Sequence, residues 1–439
     1  MVRVGTNNSS PQQYGPPQQH GPSQQTTVML GRHFRRIYRW QVIVGQDHRA
    51  YRDSFLALVI SATTSVVAGV TLASTTDTLE ELPGLLLLVP AALALKGNIF
   101  GALGSRLGTS IHAGTFQISA RLDSMVGQNT AAAMLLSLAI SVVIAVLAKG
   151  AAIVFSISPT MTLADFVVVS TIGGVLASLF MLAITLLLAS GAGRYGWDLD
   201  NVVSPLVTAA SDLMSLPALL LAAQLAGIEV FTALTAWVVA LLATGSALWS
   251  LLADHKLLKS IVRESIPVLT LAALFDLIAG ISIEKRLDSL LEYPVLLVLL
   301  PGFLGTAGGL GGVLSSRLST KLHLGLLQPG TVPKGSSGAD IAMIFALSIP
   351  VFAITALVAQ SGGMLFNQAS PGVFNLLAVA LVGGLFATVC VVIVAYYATI
   401  IAVRFGLDPD THGIPMVTSA LDFVGAFTLI LALVMLGLG

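Results

Sequence analysis

Eleven stretches of this 439-residue chain run apolar for about 20 residues or more, near 54–75, 82–104, 131–156, 164–190, 202–227, 230–253, 265–283, 293–316, 340–360, 372–402 and 413–438. That is the length an α-helix needs to cross the hydrocarbon of a bilayer while satisfying every backbone polar group within the segment. Only 10% of the residues are charged and 55% are hydrophobic, where a soluble domain carries about 25% charged residues. Too little polar surface remains to face water all round. The alternation expected of a membrane β-strand is absent. The expected fold is an all-α polytopic membrane protein with about eleven transmembrane helices.

Charge placement gives the orientation. With the N-terminus inside, 17 of the 21 Lys and Arg residues fall on the inner side, three (Lys149, Lys285 and Arg286) fall outside, and Lys96 lies within a span. This asymmetry follows the positive-inside rule. It predicts a multi-pass protein of the plasma membrane with a cytoplasmic N-terminus, an extracellular C-terminus and an odd number of spans. The zero net charge gives no footprint for nucleic acid, and the lone Cys390 permits no internal disulfide. Residues 1–50 divide into a Gln/Pro-rich tail, expected to be disordered, and a basic, aromatic juxtamembrane segment over 32–52. That segment reads equally as an interfacial amphipathic helix or as the positive flank of the first span.

The chain repeats itself. "PAALALKGNIFGALGSRLGTSIHAG" (90–114) aligns without a gap on "PGFLGTAGGLGGVLSSRLSTKLHLG" (301–325). "YGWDLDNVVSPLVTAASD", ending at Asp212, aligns on "FGLDPDTHGIPMVTSALD", ending at Asp422. Both pairs are offset by about 210 residues, so the chain reads as two tandem five-helix units. Two such units fused directly would be inverted relative to each other. The additional span near 230–253 restores a common orientation and makes the repeats parallel, related by a pseudo-two-fold axis along the membrane normal. The expected organisation is a tail and juxtamembrane segment over 1–50, a first repeat over 51–228, a linking helix with a basic cytoplasmic loop over 229–260, and a second repeat over 261–439.

The duplicated acids carry the chemistry. A carboxylate at bilayer depth costs a few kcal/mol and ordinarily faces a bundle interior or a water-filled path. Asp212 and Asp422 sit at the same place in the fifth helix of each unit, so on this geometry they approach one central line at one depth. Two such acids repel unless a cation lies between them. Magnesium favours oxygen ligands and keeps much of its water, which suits two carboxylates around a hydrated ion. Thr208 and Thr418 lie one turn before each acid on the same helix face, placed to bond the ion's water shell. Asn98 offers an amide oxygen, and Gly309 stands at its position in the second unit.

Other residues leave alternatives open. Lys96, aligned with Ala307, is read as snorkelling, as paired with a carboxylate or as a barrier to cations. Asp276, aligned with Ser65, is a second site, a proton or sodium coupling group, or the partner of Lys96. Gly97 and Gly101, with Gly308 and Gly312, have the spacing of close helix packing. Ser105, Arg106, Thr109 and His112, with Ser316, Arg317, Thr320 and His323, cap the inner helix ends or shape an inner mouth. Asp198, Asp200, Asp408 and Asp410 either cap helix N-termini or attract cations to a pore mouth, and His412 is a loop histidine.

"VPAALALKGNIFGALGSRLGT" resembles the signature of the eukaryotic magnesium-transporting solute carriers related to bacterial MgtE, and "GLDPDTHGIPMVTSALD" is similar to the MgtE fifth-helix motif. The resemblance covers nearly everything after residue 50. It implies a five-helix magnesium-conducting domain, with two copies around a central pore and with Asp212 and Asp422 matching the pore acid. It departs from MgtE in two ways. Residues 1–50 offer no counterpart to the cytosolic CBS-containing sensor, and the second unit lacks the Asn of the first-unit motif.

The expected function is transport of a divalent cation, Mg2+ above all, through one pore between two halves. The paired Asp residues bind the ion, and the chain acts as a monomer containing an internal pseudo-dimer in the lipid bilayer. The alternative is a Na+- or H+-coupled Mg2+ exchanger using the same site plus Asp276. An intramembrane enzyme lacks an HExxH or nucleophile–base constellation, so no enzymatic activity is expected. A carrier of small organic substrates would want aromatics near the acids, where Asp212 has small aliphatics.

Overall fold

The computed structural model describes residues 51–438 except 113, 115, 117–118, 120, 196–198, 228, 324–326, 328–332, 334–335 and 405–413. The expectations for the N-terminal tail, the juxtamembrane segment, Asp198, Asp408, Asp410 and His412 lie outside the described residues. Residues 54–439 cluster as one unit, to which the architecture below belongs.

The described elements are all helical. They are α1 (Tyr51–Ala73), α2 (Thr76–Glu81), α3 (Leu85–His112), α4 (Met125–Val154), α5 (Leu163–Tyr195), α6 (Leu199–Ala223), α7 (Glu229–Leu252), α8 (Lys256–Glu284), α9 (Leu287–Glu292), α10 (Val295–His323), α11 (Ser336–Leu365), α12 (Val373–Arg404) and α13 (Ile414–Met435). Among the described residues ten helices are long and apolar enough to cross a membrane, and α6 adds a shorter apolar stretch over Ala209–Ala223. The order α1–α6 recurs as α8–α13, with α7 between them. Pro90, Pro267, Pro301 and Pro350 lie inside helices, which membrane helices tolerate because neighbours re-satisfy the freed carbonyls.

Three details differ from the sequence-based reading. The six-residue helices α2 and α9 precede α3 and α10 in the two halves, where polar runs such as "TDTLEE" read as loop. Helix α8 starts at Lys256, so Lys256, Lys259 and Arg263 lie on its first turns and not in a basic loop; these long side chains are good helix formers. Helices α3 and α10 also run past the apolar stretches to His112 and His323, which puts Arg106 and Arg317 within helices and not at caps.

The first helix of each repeat packs on the other repeat. Helix α8 packs on α3, α4 and α13. A methyl group added at Gly280 of α8 would lie 2.5 Å from the Leu87 carbonyl oxygen of α3. Its counterpart Gly69 of α1 would meet the Val298 carbonyl oxygen of α10 at 2.1 Å. Both contacts are backbone to backbone, which only glycine permits, as at small-residue interfaces between membrane helices. Within each half the fourth and fifth helices pack alike: Gly173 abuts Leu219, and Gly383 abuts the Thr428 carbonyl.

Loop ends are tied by polar contacts. Thr162 and Asp165 form a reciprocal capping box at the start of α5, at 3.2 Å each way. The second Asp165 oxygen accepts from Gly227 N at 3.1 Å, pinning the α6–α7 turn. At the start of α3, Gly84, held at φ +93°, donates its N–H to Glu284 of α8 at 2.7 Å.

Candidate functional site

Helices α6 and α13 carry Asp212 and Asp422, and both acids pack against glycines of α10. A methyl at Gly305 would lie 3.6 Å from Asp212 Oδ2, and one at Gly308 would lie 3.6 Å from Asp422 Oδ1. Three residues of helix rise only about 4.5 Å, so the two carboxyl groups flank α10 within one turn. Asp422 lies within electrostatic reach of both Asp212 and Asp276.

Each acid has distinct company. Asp212 is buried and accepts a hydrogen bond from Ser65 of α1. Its neighbour Ser211 donates to the Leu93 carbonyl of α3 at 2.9 Å, fixing α6 on α3. Asp276 of α8 is 1% exposed. Its Oδ2 accepts from Ser419 at 3.0 Å, and its Oδ1 is buried with no hydrogen-bond partner among the described residues. Asn98 of α3 completes the string: its Nδ2 donates to Ser419 Oγ at 3.4 Å, and its Oδ1 accepts from Thr418 Oγ1 at 3.2 Å. Asn98 also lines a cavity of ≈ 20 Å³, shared with Ala102, Arg106, Ser265, Leu269 and Pro415.

Asn98, Thr418, Asp276, Asp422 and Asp212 are thus gathered where α3, α6, α8 and α13 meet α10. The side chain of Thr208 lies outside the described residues, as do those of Asp200, Thr109, His112 and His323. Lys96 is apart. It is 1% exposed and points away from Asn98 into α4 and α5, where it donates to Ser137, itself bonded to Ser178 at 2.5 Å. It neither snorkels nor pairs with Asp276; the ion pairs of the described residues lie elsewhere. Arg317 does have an acid: Asp340 of α11 accepts from it at 2.8 Å and from Lys321 at 2.5 Å.

Sequence reasoning missed Ser419, Ser65 as an acid partner, and the role of Gly305. Ser419 carried a usable signal: it replaces Ala209 in the duplicated motif, one residue after Thr418. Gly305 aligns with Ala94, and nothing in the sequence connects it to α6.

Chemically, the site offers carboxylate, amide and hydroxyl oxygens, the donor set of a hard cation. Among the described residues no three Asp, Glu, His or Cys side chains converge closely enough to hold a bare metal ion. Dispersed carboxylates separated by hydroxyls suit an ion that keeps part of its water.

The model of the MgtE divalent cation transporter family matches residues 89–222 and 300–432, together more than half of the chain. The chain is 25% identical over 382 residues to solute carrier family 41 member 3 of Mus musculus, covering 80% of this chain and 75% of that relative. It is 26% identical over 373 residues to solute carrier family 41 member 2 of Mus musculus, covering 79% and 63%. Against member 2 of Homo sapiens it is 24% identical over 379 residues, covering 79% and 63%. The chain thus spans three quarters of the first relative's length and under two thirds of the other two. No solved structure matches it.

Proposed function

Because the chain belongs to the MgtE family of divalent cation transporters, we propose that it moves Mg2+ across the membrane through a path between its two repeats. In this reading Asp212 and Asp422 attract the ion, and Asn98, Thr418 and Thr208 bond its water shell. One observation carries the reading: the two duplicated acids flank a single turn of α10 at Gly305 and Gly308. Two anions so close within a bilayer are costly unless a cation offsets them.

The fusion of two repeats in one polypeptide supports a complete path in a monomer. We place the repeats at 51–228 and 261–439, with 229–260 between them, the N-terminus in the cytoplasm, the C-terminus outside and the protein in the plasma membrane. The deciding experiment is Mg2+ flux into liposomes by wild type, Asp212→Ala and Asp422→Ala. Loss of at least tenfold in each variant is expected; unchanged flux in both removes the site.

The unpartnered Oδ1 of Asp276 favours one second reading, an exchanger that couples Mg2+ to Na+ or H+. Flux measured at zero voltage, with and without an imposed Na+ or H+ gradient, separates the two. Dependence on either gradient selects the exchanger.

A further inference from the structure

The two halves are alike in backbone, but their polar atoms are not. In the second-unit positions Asp276 and Ser419, and the first-unit position Asn98, oxygens and nitrogens follow one another without a break. Asn98 Nδ2 reaches Ser419 Oγ at 3.4 Å, and Ser419 Oγ reaches Asp276 Oδ2 at 3.0 Å. Asp276 in turn acts electrostatically on Asp422. At the other end Asn98 opens on the cavity lined by Ala102, Arg106, Ser265, Leu269 and Pro415. Those residues belong to the C-terminal half of α3, the N-terminal half of α8 and the start of α13. The cavity therefore lies toward one membrane face, that of the α3 C-terminus. Its ≈ 20 Å³ is room for a water molecule.

Among the described residues the mirror-image route is interrupted. Gly309 stands for Asn98, and a methyl placed there would lie 2.6 Å from Leu58 Cδ2, so an α1 leucine covers the wall of α10. Ser65 stands for Asp276 and is spent on Asp212. Ala209 stands for Ser419. Every polar step of the first route has an apolar or satisfied residue in the second.

We propose that the half of the ion path facing the α3 C-terminus is single and off the pseudo-two-fold axis, running from the central acids over Asp276, Ser419 and Asn98 into this cavity, with Asp276 as a second cation seat. This rests on the transport reading above. The buried, unpartnered Oδ1 of Asp276 is the oxygen that receives the cation. Asn98 and Ser419 are the groups that exchange for its waters on the way out. The parallel repeats thus share one gate to that face.

The test compares mirrored positions. In a Cys390→Ser background, Ala102→Cys and its counterpart Val313→Cys are reconstituted in liposomes and treated with a membrane-impermeant methanethiosulfonate from each side in turn. The expected result is labelling of Ala102→Cys only from the side of the α3 C-terminus, slowed by millimolar Mg2+, with Mg2+ flux falling at least tenfold. Val313→Cys labels slowly and keeps its flux within twofold. Equal labelling and equal block at both positions overturn the one-sided path. The bulky pair Ala102→Trp and Val313→Trp repeats the comparison without reagent: flux lost in the first only is expected, and flux kept in the first overturns the proposal. If wild type itself passes no Mg2+, the transport reading fails, whereas one-sided thiol labelling still reports which half holds the open cavity.

Discussion

Ser65 of α1 and Asp276 of α8 occupy one equivalent position in the two repeats, yet Ser65 donates to Asp212 whereas Asp276 accepts from Ser419. The shared position holds a hydroxyl in one half and a carboxylate in the other. Replacing Asp276 by the residue of its twin therefore makes the site more symmetric and removes one negative charge. Asp276→Ser is expected to weaken the concentration dependence of Mg2+ flux at least tenfold, about 1.4 kcal/mol or more, without lowering thermal stability. Flux titrations in liposomes and melting curves in detergent check the two halves of that statement. An unaltered half-saturation point contradicts it.

Ligand linkage gives a measurement independent of transport. An ion bound only by the folded state stabilises it by about 2.7 kcal/mol at 100 times its Kd. Adding a chelator to detergent-solubilised protein is expected to lower the melting temperature of wild type. The double variant Asp212→Ala/Asp422→Ala is expected to melt at one temperature with or without Mg2+.

Lys96 and Ser141 together line the space that Phe352, the counterpart of Ser141, fills in the second half. The ammonium lies beside Gly174, where a methyl would meet it at 3.2 Å, and the Phe352 ring lies against Gly384 at 2.5 Å by the same measure. In the second half the volume is aromatic, and Phe352 also packs on Phe303 with centroids 4.8 Å apart. Among the described residues the buried Lys96 ammonium has a hydroxyl and no carboxylate for a partner, which is expensive, and apolar replacement of buried charge is commonly neutral or stabilising. Lys96→Met is expected to raise thermal stability by about 1 kcal/mol or more, since Ser137 retains Ser178 as its partner. A lower melting temperature refutes this.

Gly69 and Gly280 make the same close contact in opposite directions. Alanine at either forces two backbones apart, a cost of about 1–3 kcal/mol for an overpacked site. Gly69→Ala and Gly280→Ala should destabilise by similar amounts in unfolding titrations, while Gly101→Ala, where no atom lies within 4 Å of the added methyl, should leave stability unchanged.

At the face where α10 ends, Asp340 bridges Arg317 and Lys321, and the first half has Asn129 at its position. Asp340 is 1% exposed, while its two cations keep about a fifth of their side-chain surface. Asp340→Asn should cost about 3 kcal/mol, the low end for removing one partner of a buried ion pair, read as a fall in melting temperature that added Mg2+ does not reverse.

The helical, many-span architecture was legible because apolar length and backbone satisfaction leave few alternatives, and the duplication was legible from residues such as Pro90/Pro301 and Asp212/Asp422. The neighbours were not. In lipid a helix is apolar on every side, so periodicity does not say which face meets which partner. Contacts such as Gly69 on Val298 and Gly305 on Asp212 turn on single glycines whose meaning depends on the fold. Asp276 and Lys96 stood out as charges in apolar runs, but their surroundings rest on Ser419, Ser137 and Ser178, ordinary serines within hydrophobic stretches. Short α2 (TDTLEE) and α9 (LDSLLE) escaped notice because six residues of mixed polarity read as well for a turn as for a helix.

The crossed seating of α1 and α8 bears on how the protein is made. During synthesis α1 leaves the translocon long before Val298 exists, so the groove it finally occupies is built only after the linking helix and α8 have been inserted. Until then it waits in lipid, and the first repeat released alone would lack both the strut α8 gives α3 and a berth for its own leading helix. The seating of α1 and the meeting of the two central acids therefore both wait for one late helix, α10, which carries Val298, Gly305 and Gly308.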